Sequence, residues 1–172
     1  MIQLTFQPAF DPYHAVFRAL RLRSLAIDHH PLHRDHMRIL DFYLLFPFRI
    51  EGIRLRREDR KYRKLAGEYE KNKPYGDQPE DRNVFARMEP MQLCALDTLA
   101  SRRFISPEKW TTAEVVTTSE PVLGALGQRV VEINTQEADL LDFLRVLASY
   151  DLLGPDGLKA RSALLEARYD AI

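Results

Sequence analysis

The sequence predicts a mainly α-helical fold with a small β-hairpin. Apolar residues recur at helical spacing in several segments, most clearly over residues 140–150. The densest apolar run, residues 39–48, contains three Phe, one Tyr and four Leu or Ile, and we expect it to form a core helix buried on most faces. A stretch rich in threonine and valine, residues 111–118, is the best candidate for a strand.

The composition is that of a folded globular protein. Of the 172 residues, 45% are apolar and 29% are charged, which is too apolar for an intrinsically disordered chain. A chain of this length buries about two-thirds of its unfolded surface, so it needs neither disulfides nor metals for stability. Lysine plus arginine and aspartate plus glutamate number 25 each, so the whole-molecule charge does not indicate nucleic-acid or membrane binding.

The single cysteine, Cys94, excludes an internal disulfide. Its neighbours Leu93, Ala95 and Leu96 are apolar, which predicts a buried, inert thiol and fits a reducing compartment. The N-terminus does not have the basic region and long apolar segment of a signal peptide. The apolar run 39–48 is shorter than the roughly 20 residues that a membrane span needs. We therefore expect a cytoplasmic protein with no membrane segment.

Residues 1–70 are predicted to form an N-terminal helical unit. Asp11 followed by Pro12 is typical of a helix start, because the Asp side chain accepts from free amides and proline loses no needed hydrogen bond. The first helix is expected over residues 12–26. A second is expected over residues 32–47, where Pro47 ends or kinks it.

Asp41 lies inside the apolar run that forms most of the second helix. A buried carboxylate needs partners, since it would otherwise shift toward its neutral form. We expect a salt bridge or hydrogen bonds from Arg38 or from a facing helix.

A strongly basic stretch follows Gly52, with only two acidic residues among its positive charges. Such a stretch is usually a solvated helix face, and the other interpretation is a contact with a nucleic-acid backbone or an acidic partner. The candidate contact residues are Arg54, Arg56, Arg57, Arg60, Lys61, Arg63 and Lys64.

Residues 71–88 are predicted to be a linker, because they begin with a run rich in proline and polar residues. Residues 89–172 form the second predicted unit. It opens with Glu89 and Pro90, again a typical helix start, and the pattern predicts a helix of about ten residues there.

A second capped helix start at Ser106 and Pro107 precedes the predicted strand 111–118. Residues 128–133 are the candidate partner strand, although residues 121–127 fit a helical turn equally well. The resulting order of two helices and a hairpin is that of a winged helix. Residues 89–172 are therefore predicted to be a winged-helix-like unit with C-terminal helices.

The C-terminal part contains the most regular helical pattern. Asn134 and Glu137 form a variant of the capping pattern ahead of an amphipathic helix that reaches Tyr150. A turn over residues 154–157 leads to a last helix over residues 158–169. Its apolar stripe is thin, which is consistent with packing against another protein.

All five histidines lie in the first 36 residues. Imidazoles three or four residues apart on a helix can share a metal ion, so the tract 29–36 resembles a metal-binding segment. Pro31 interrupts it, which favours a solvated interhelix loop. His14 is expected to act in capping or packing. We see no glycine-rich phosphate loop, serine elbow or paired-cysteine zinc pattern, and predict no catalytic, cofactor or metal site.

Three segments together resemble a known family. They are FDPYHAVFR (residues 10–18), RILDFYLLFP (residues 38–47), and PYG (residues 74–76) followed by MEPMQ (residues 88–92). The chain is similar to the middle components of the ABC-three component systems, specifically the group called middle component 5. The ABC-three component systems include Lamassu-like systems. The resemblance spans most of the chain.

The resemblance implies a small winged-helix-like adaptor between an SMC-like ABC ATPase and an effector such as a nuclease. Such systems are associated with prokaryotic defence against phages and plasmids. The resemblance implies no catalytic residue in this sequence, and it implies that any DNA contact would come through the complex. The alternative is a winged-helix DNA-binding protein that uses the basic stretch or the wing near residues 111–129. A histidine-rich metal enzyme is the third hypothesis.

Overall fold

Among the residues that the structure describes, helices predominate and there is one pair of two-residue strands. The structure is a computed structural model, which describes residues 7–27, 30–74 and 78–165. In chain order the α-helices are α1 (Pro12–Leu22), α2 (Arg34–Leu45), α3 (Lys64–Glu68), α4 (Asp81–Ser101), α5 (Pro107–Trp110), α6 (Gly124–Gln136), α7 (Ala138–Ala148) and α8 (Leu158–Ser162). Strands β1 (Leu32–His33) and β2 (Glu114–Val115) pair in antiparallel register. The predicted class, mainly α with a small antiparallel β element, is confirmed.

Short 3₁₀ helices connect several of these elements. They span Pro8–Phe10, Arg23–Leu25, Pro47–Gly52, Arg57–Arg63 and Glu70–Asn72.

Helix α1 begins as predicted, because Asp11 Oδ1 accepts a hydrogen bond from the His14 amide at 2.7 Å. The helix continues as a 3₁₀ turn that ends at Leu25, close to the predicted end. Its buried side contains the small residues Ala15 and Ala19, which lie against Ala95 of α4. Small side chains let the two helix backbones approach closely, so α1 and α4 form the most extensive helix contact in the described chain.

Helix α2 is the central buried helix, as the apolar run predicts. Ten of its twelve residues are buried. Nδ1 of His33 caps its first turn by accepting from the Asp35 amide at 3.1 Å, and the helix gives way to a 3₁₀ turn at Pro47. The Phe42 ring contacts the Phe85 ring edge to face at 5.9 Å, which joins α2 to α4.

Helix α4 starts earlier than the sequence pattern predicts. It begins at Asp81 rather than Glu89, and Pro90 lies in its interior. An interior proline removes a helical hydrogen bond and costs roughly 3 kcal/mol. Burial of Phe85 and Met88 on the preceding turns offsets that cost, because each contributes roughly 1.5–3 kcal/mol. Tertiary packing therefore overrides the local stop signal.

The partner predicted for the second strand is wrong. Residues 128–133 lie in helix α6, and β2 pairs instead with β1, far away in the sequence. Val130 and Ile133, three residues apart, share the half-buried side of α6 that faces α1. A spacing of three places both side chains on one side of a helix, whereas in a strand they would point to opposite faces. The winged-helix-like arrangement and the division into two units stay predictions.

The predicted cap of α7 is also wrong, because its two residues bind elsewhere. Asn134 lies in α6, and the side chain of Glu137, the residue before α7, makes no capping bond. Both bind Arg21 of α1 instead: Nε of Arg21 donates to Asn134 Oδ1 at 2.8 Å, and Nη2 donates to Glu137 Oε2 at 2.6 Å. Arg21 therefore attaches the end of α6 and the start of α7 to α1.

Two histidines bind the carboxyl end of α7. The last carbonyls of a helix lack intrahelical donors. Nε2 of His30 lies 3.1 Å from the Ala148 oxygen, and Nε2 of His36 lies 2.9 Å from the Tyr150 oxygen. A carbonyl only accepts, so each Nε2 carries the proton. Burial lowers the pKa of His36 despite its bond to the Tyr150 carbonyl.

The last helix is shorter than predicted. Helix α8 ends at Ser162, where Ala163 adopts a left-handed conformation with φ of 56°. Leu164 is buried beyond that point. The rest of the predicted helix, residues 166–169, lies outside the described residues.

Asp41 has its partners on two facing helices, as one of the two predicted arrangements requires. Nε and Nη2 of Arg18 donate to its two carboxylate oxygens at 2.6 and 3.1 Å, and Gln92 Nε2 donates to Oδ2 at 2.9 Å. Arg38, the other predicted partner, binds Gln92 Oε1 and Asp35 Oδ1 instead. One carboxylate therefore joins α1, α2 and α4.

We expect Asp41→Asn to lower the free energy of unfolding by about 3–5 kcal/mol, because it leaves the buried Arg18 without its counter-charge. Urea denaturation measures this change. The matched control is Asp142→Asn, which breaks an exposed pair with Arg145 and should cost at most about 1 kcal/mol. Equal, small effects of the two substitutions would contradict a structural role for the buried pair.

We also expect stability to fall as the pH drops from about 7.5 to 5. The pKa of His36 is lower in the folded chain than the ordinary value of 6.5, so the unfolded chain binds more protons there. The contribution of neutral His36 to the free energy of unfolding is fully present above pH 6.5 and is lost as the pH falls through the pKa of the folded chain. His36→Gln should shrink the difference between urea midpoints at the two pH values. Burial also lowers the pKa of His14, so part of the dependence remains. An unchanged pH dependence in the variant would contradict this role for His36.

Candidate functional site

The seven candidate basic residues fall on and just before one 3₁₀ helix, Arg57–Arg63, and the first residue of α3. A 3₁₀ helix has 3.0 residues per turn, so side chains three residues apart share a face. The segment therefore has one inward face and two outward faces, and each face repeats every third residue.

The inward face anchors the segment to α7 and the core. Asp59 Oδ2 accepts a hydrogen bond from the Tyr150 hydroxyl at 2.7 Å, the Tyr62 ring lies 5.5 Å from the Phe143 ring, and Leu65 is fully buried. Burial and the bond to the Asp59 carboxylate raise the pKa of Tyr150 to about 12. The hydroxyl therefore stays protonated and keeps donating near neutral pH.

The outward faces carry the free positive charge. One face consists of Arg57, Arg60 and Arg63, which we call the basic ridge, and all three are exposed. The other consists of Lys61 and Lys64 together with Glu58. Within residues 7–27, 30–74 and 78–165, none of the ridge guanidinium groups makes a salt bridge or hydrogen bond to a protein group.

Arg54 and Arg56, the two remaining candidates, fold back onto the protein. Nη2 of Arg54 donates to the Pro155 carbonyl at 3.1 Å, and the Arg56 guanidinium lies over the Tyr150 ring at 4.2 Å. The sequence marks all seven residues equally. The contacts in the structure separate the two arginines that bind other parts of the chain from the three ridge arginines that do not.

A second surface, on α6, was missed by the sequence analysis. No residue of this helix is buried. Three large apolar side chains are exposed here, Leu123 just before the helix and Leu126 and Val131 within it, with exposed fractions of 76%, 46% and 67%, and we call them the α6 face. The sequence does contain these apolar residues, but they were not recognised as an exposed helix surface because residues 128–133 were predicted to be a strand.

The start of α6 is held close to the preceding residues. A Cβ at Gly127 would lie 1.9 Å from the carbonyl oxygen of Val122, so only glycine fits there. Arg21 attaches the other end of the helix. The α6 face is therefore presented by a helix whose carboxyl end is fixed to α1 and whose first turn packs against the residues before it.

The histidine tract does not form a metal site in the part of the chain that is described. No group of three potential ligands converges there. His30 and His36 bind backbone carbonyls and His33 caps α2. His29 lies outside the described residues. His14 takes part in the cap of α1 only through its backbone amide, which donates to Asp11 Oδ1. Its side chain lines a groove beside Phe17.

The prediction of a buried Cys94 is wrong, because this cysteine is exposed. The buried side of α4 includes Met88, Gln92, Ala95 and Leu99. These residues recur every three or four positions, and Cys94 falls between them. The apolar neighbours Ala95 and Leu96 are indeed buried, but helical periodicity turns Cys94 toward solvent.

The described helices are each too short or too polar to span a membrane.

A family model described as ABC-three component (ABC-3C) system Middle Component 5 matches residues 4–170. No curated protein and no solved structure matches the chain. The match covers nearly the whole sequence and agrees with the resemblance drawn from its three segments. The chain belongs to the middle component 5 family of ABC-three component systems.

Proposed function

We propose that this protein is a non-catalytic adaptor or regulatory subunit that links an SMC-like ABC ATPase to an effector such as a nuclease. The complex would act in the prokaryotic cytoplasm against phages or plasmids. Membership in a middle component family supports association with the other components of such a system.

The observation that carries this proposal is the α6 face. Leu123 just before α6, and Leu126 and Val131 within it, leave apolar surface in water, and the helix itself buries no residue. Fully burying such a side chain contributes roughly 1.5–3 kcal/mol, so a partner that covers the face gains binding free energy that folding alone leaves unused. Three large apolar side chains left exposed within nine residues of the chain make this stretch a candidate interaction site.

The attachment of α6 supports the same role. Arg21 is buried and binds both Asn134 and Glu137, so the helix is oriented before any partner arrives. A pre-oriented surface loses less conformational entropy on binding than a flexible one. A partner on α6 would also be coupled through Arg21 to α1 and the core.

We expect the protein to co-purify with the ABC ATPase encoded beside its gene when the two are expressed together. Size-exclusion chromatography with light scattering measures the mass of the assembly. A protein that elutes alone, at the mass of one chain, in the presence of both neighbouring components would overturn the adaptor proposal.

The double substitution Leu123→Glu with Val131→Glu should reduce retention of the ATPase tenfold or more, because it puts two carboxylates into the interface. A tenfold loss of affinity corresponds to about 1.4 kcal/mol of binding free energy. The fold should be unaffected, since both side chains are exposed. The matched control is Ile27→Glu with Leu153→Glu, at exposed apolar positions outside α6. Retention by both variants would show that the ATPase binds elsewhere.

A further inference from the structure

We propose that the basic ridge, Arg57, Arg60 and Arg63, binds the sugar-phosphate backbone of a nucleic acid. The inference does not depend on the adaptor function, because it concerns a different surface with different chemistry.

The geometry of the 3₁₀ helix aligns the three arginines. With a rise of about 2.0 Å per residue and three residues per turn, side chains at i and i+3 are eclipsed and about 6 Å apart. In an α-helix the same spacing would turn successive side chains away from one line. The ridge is therefore a single row about 12 Å long. One DNA strand presents a phosphate for about every 3.4 Å of helix axis, so the row spans three to four phosphates.

The charges of the outward faces leave the ridge available to an anion. Five basic residues and one acid project outward, the ridge together with Lys61, Lys64 and Glu58. The other acid of the segment, Asp59, is turned inward and accepts from Tyr150. An arginine without an internal partner keeps its planar fork of donors for phosphate oxygens. The charge is local, since the chain as a whole has a formal net charge of zero.

The shape of the ridge favours a phosphate backbone over an acidic peptide. None of residues Arg57–Arg63 is buried, so the row does not enclose a pocket for a side chain. Extended peptides usually bind at pockets or strand edges that receive their side chains, although acidic motifs also bind clustered arginines. A phosphate backbone needs only positive charge and hydrogen-bond donors at a regular spacing.

The test compares two triple variants of the full chain with the same change in charge. In the ridge variant, Arg57, Arg60 and Arg63 are replaced by Gln. In the control variant, Arg102, Arg129 and Arg145 are replaced by Gln; these exposed residues lie at the end of α4, on α6 and on α7. Binding to a labelled duplex of about 20 base pairs is followed by fluorescence anisotropy from roughly 50 to 300 mM NaCl.

The ridge variant should bind on the order of 100-fold more weakly near 0.1 M salt. The slope of log affinity against log salt should become shallower by about 2.7, since each lost phosphate contact contributes about 0.9. The control variant should stay within about twofold of the unmodified protein and keep its slope. Circular dichroism should show the same helix content for all three proteins.

Three outcomes would overturn the proposal. The first is that the ridge variant binds the duplex as well as the unmodified protein does. The second is that both variants lose affinity equally, which would indicate a response to net charge alone. The third is ridge-dependent binding of labelled polyglutamate that is tighter than binding of the duplex, which would identify an acidic protein segment as the ligand.

Discussion

The buried ion pair between Arg18 and Asp41 is the constraint that fixes how the central helices meet. Each charge is almost inaccessible to water, so neither can be left unpaired without a large desolvation cost. The bidentate geometry allows little rotation of α1 about α2, and Gln92 adds α4 to the same carboxylate. The small residues of α1 that face α4 then bring the two backbones together. Apolar burial supplies most of the stability of this core, and the ion pair specifies its arrangement.

Tyr150 transmits that arrangement to the surface. Its backbone carbonyl accepts from His36 of the central helix, while its hydroxyl donates to Asp59 and accepts from the Arg56 amide. The 3₁₀ helix that carries the basic ridge is thus connected to α2 through one residue. The inward positions of the segment hold it, so the three ridge arginines stay exposed to solvent.

Sequence patterns predicted the elements whose causes are local. The caps formed by Asp11 and Ser106 depend on neighbouring residues, and the burial of α2 follows from its own composition. The errors fall where distant residues decide the outcome. Pro90 is tolerated inside α4 because earlier turns are buried, and Asn134 binds Arg21 of another helix rather than capping its own. The ridge was predicted as a basic stretch, but its alignment required the 3₁₀ geometry, which the sequence does not reveal.

The two exposed surfaces are anchored at opposite ends of α7. Arg21 binds Glu137, the residue before this helix, and thereby attaches α6, whereas Tyr150 follows its last turn and attaches the 3₁₀ helix. A helix of eleven residues is about 16 Å long at 1.5 Å per residue, so the two anchors are separated by more than the width of a helix. A protein on the α6 face and a phosphate backbone on the basic ridge would therefore engage different ends of one rigid element. The chemistry of the surfaces differs in the same way, since one gains from excluding water and the other from displacing counterions. Two such partners, if bound to these surfaces, would not compete for the same contacts.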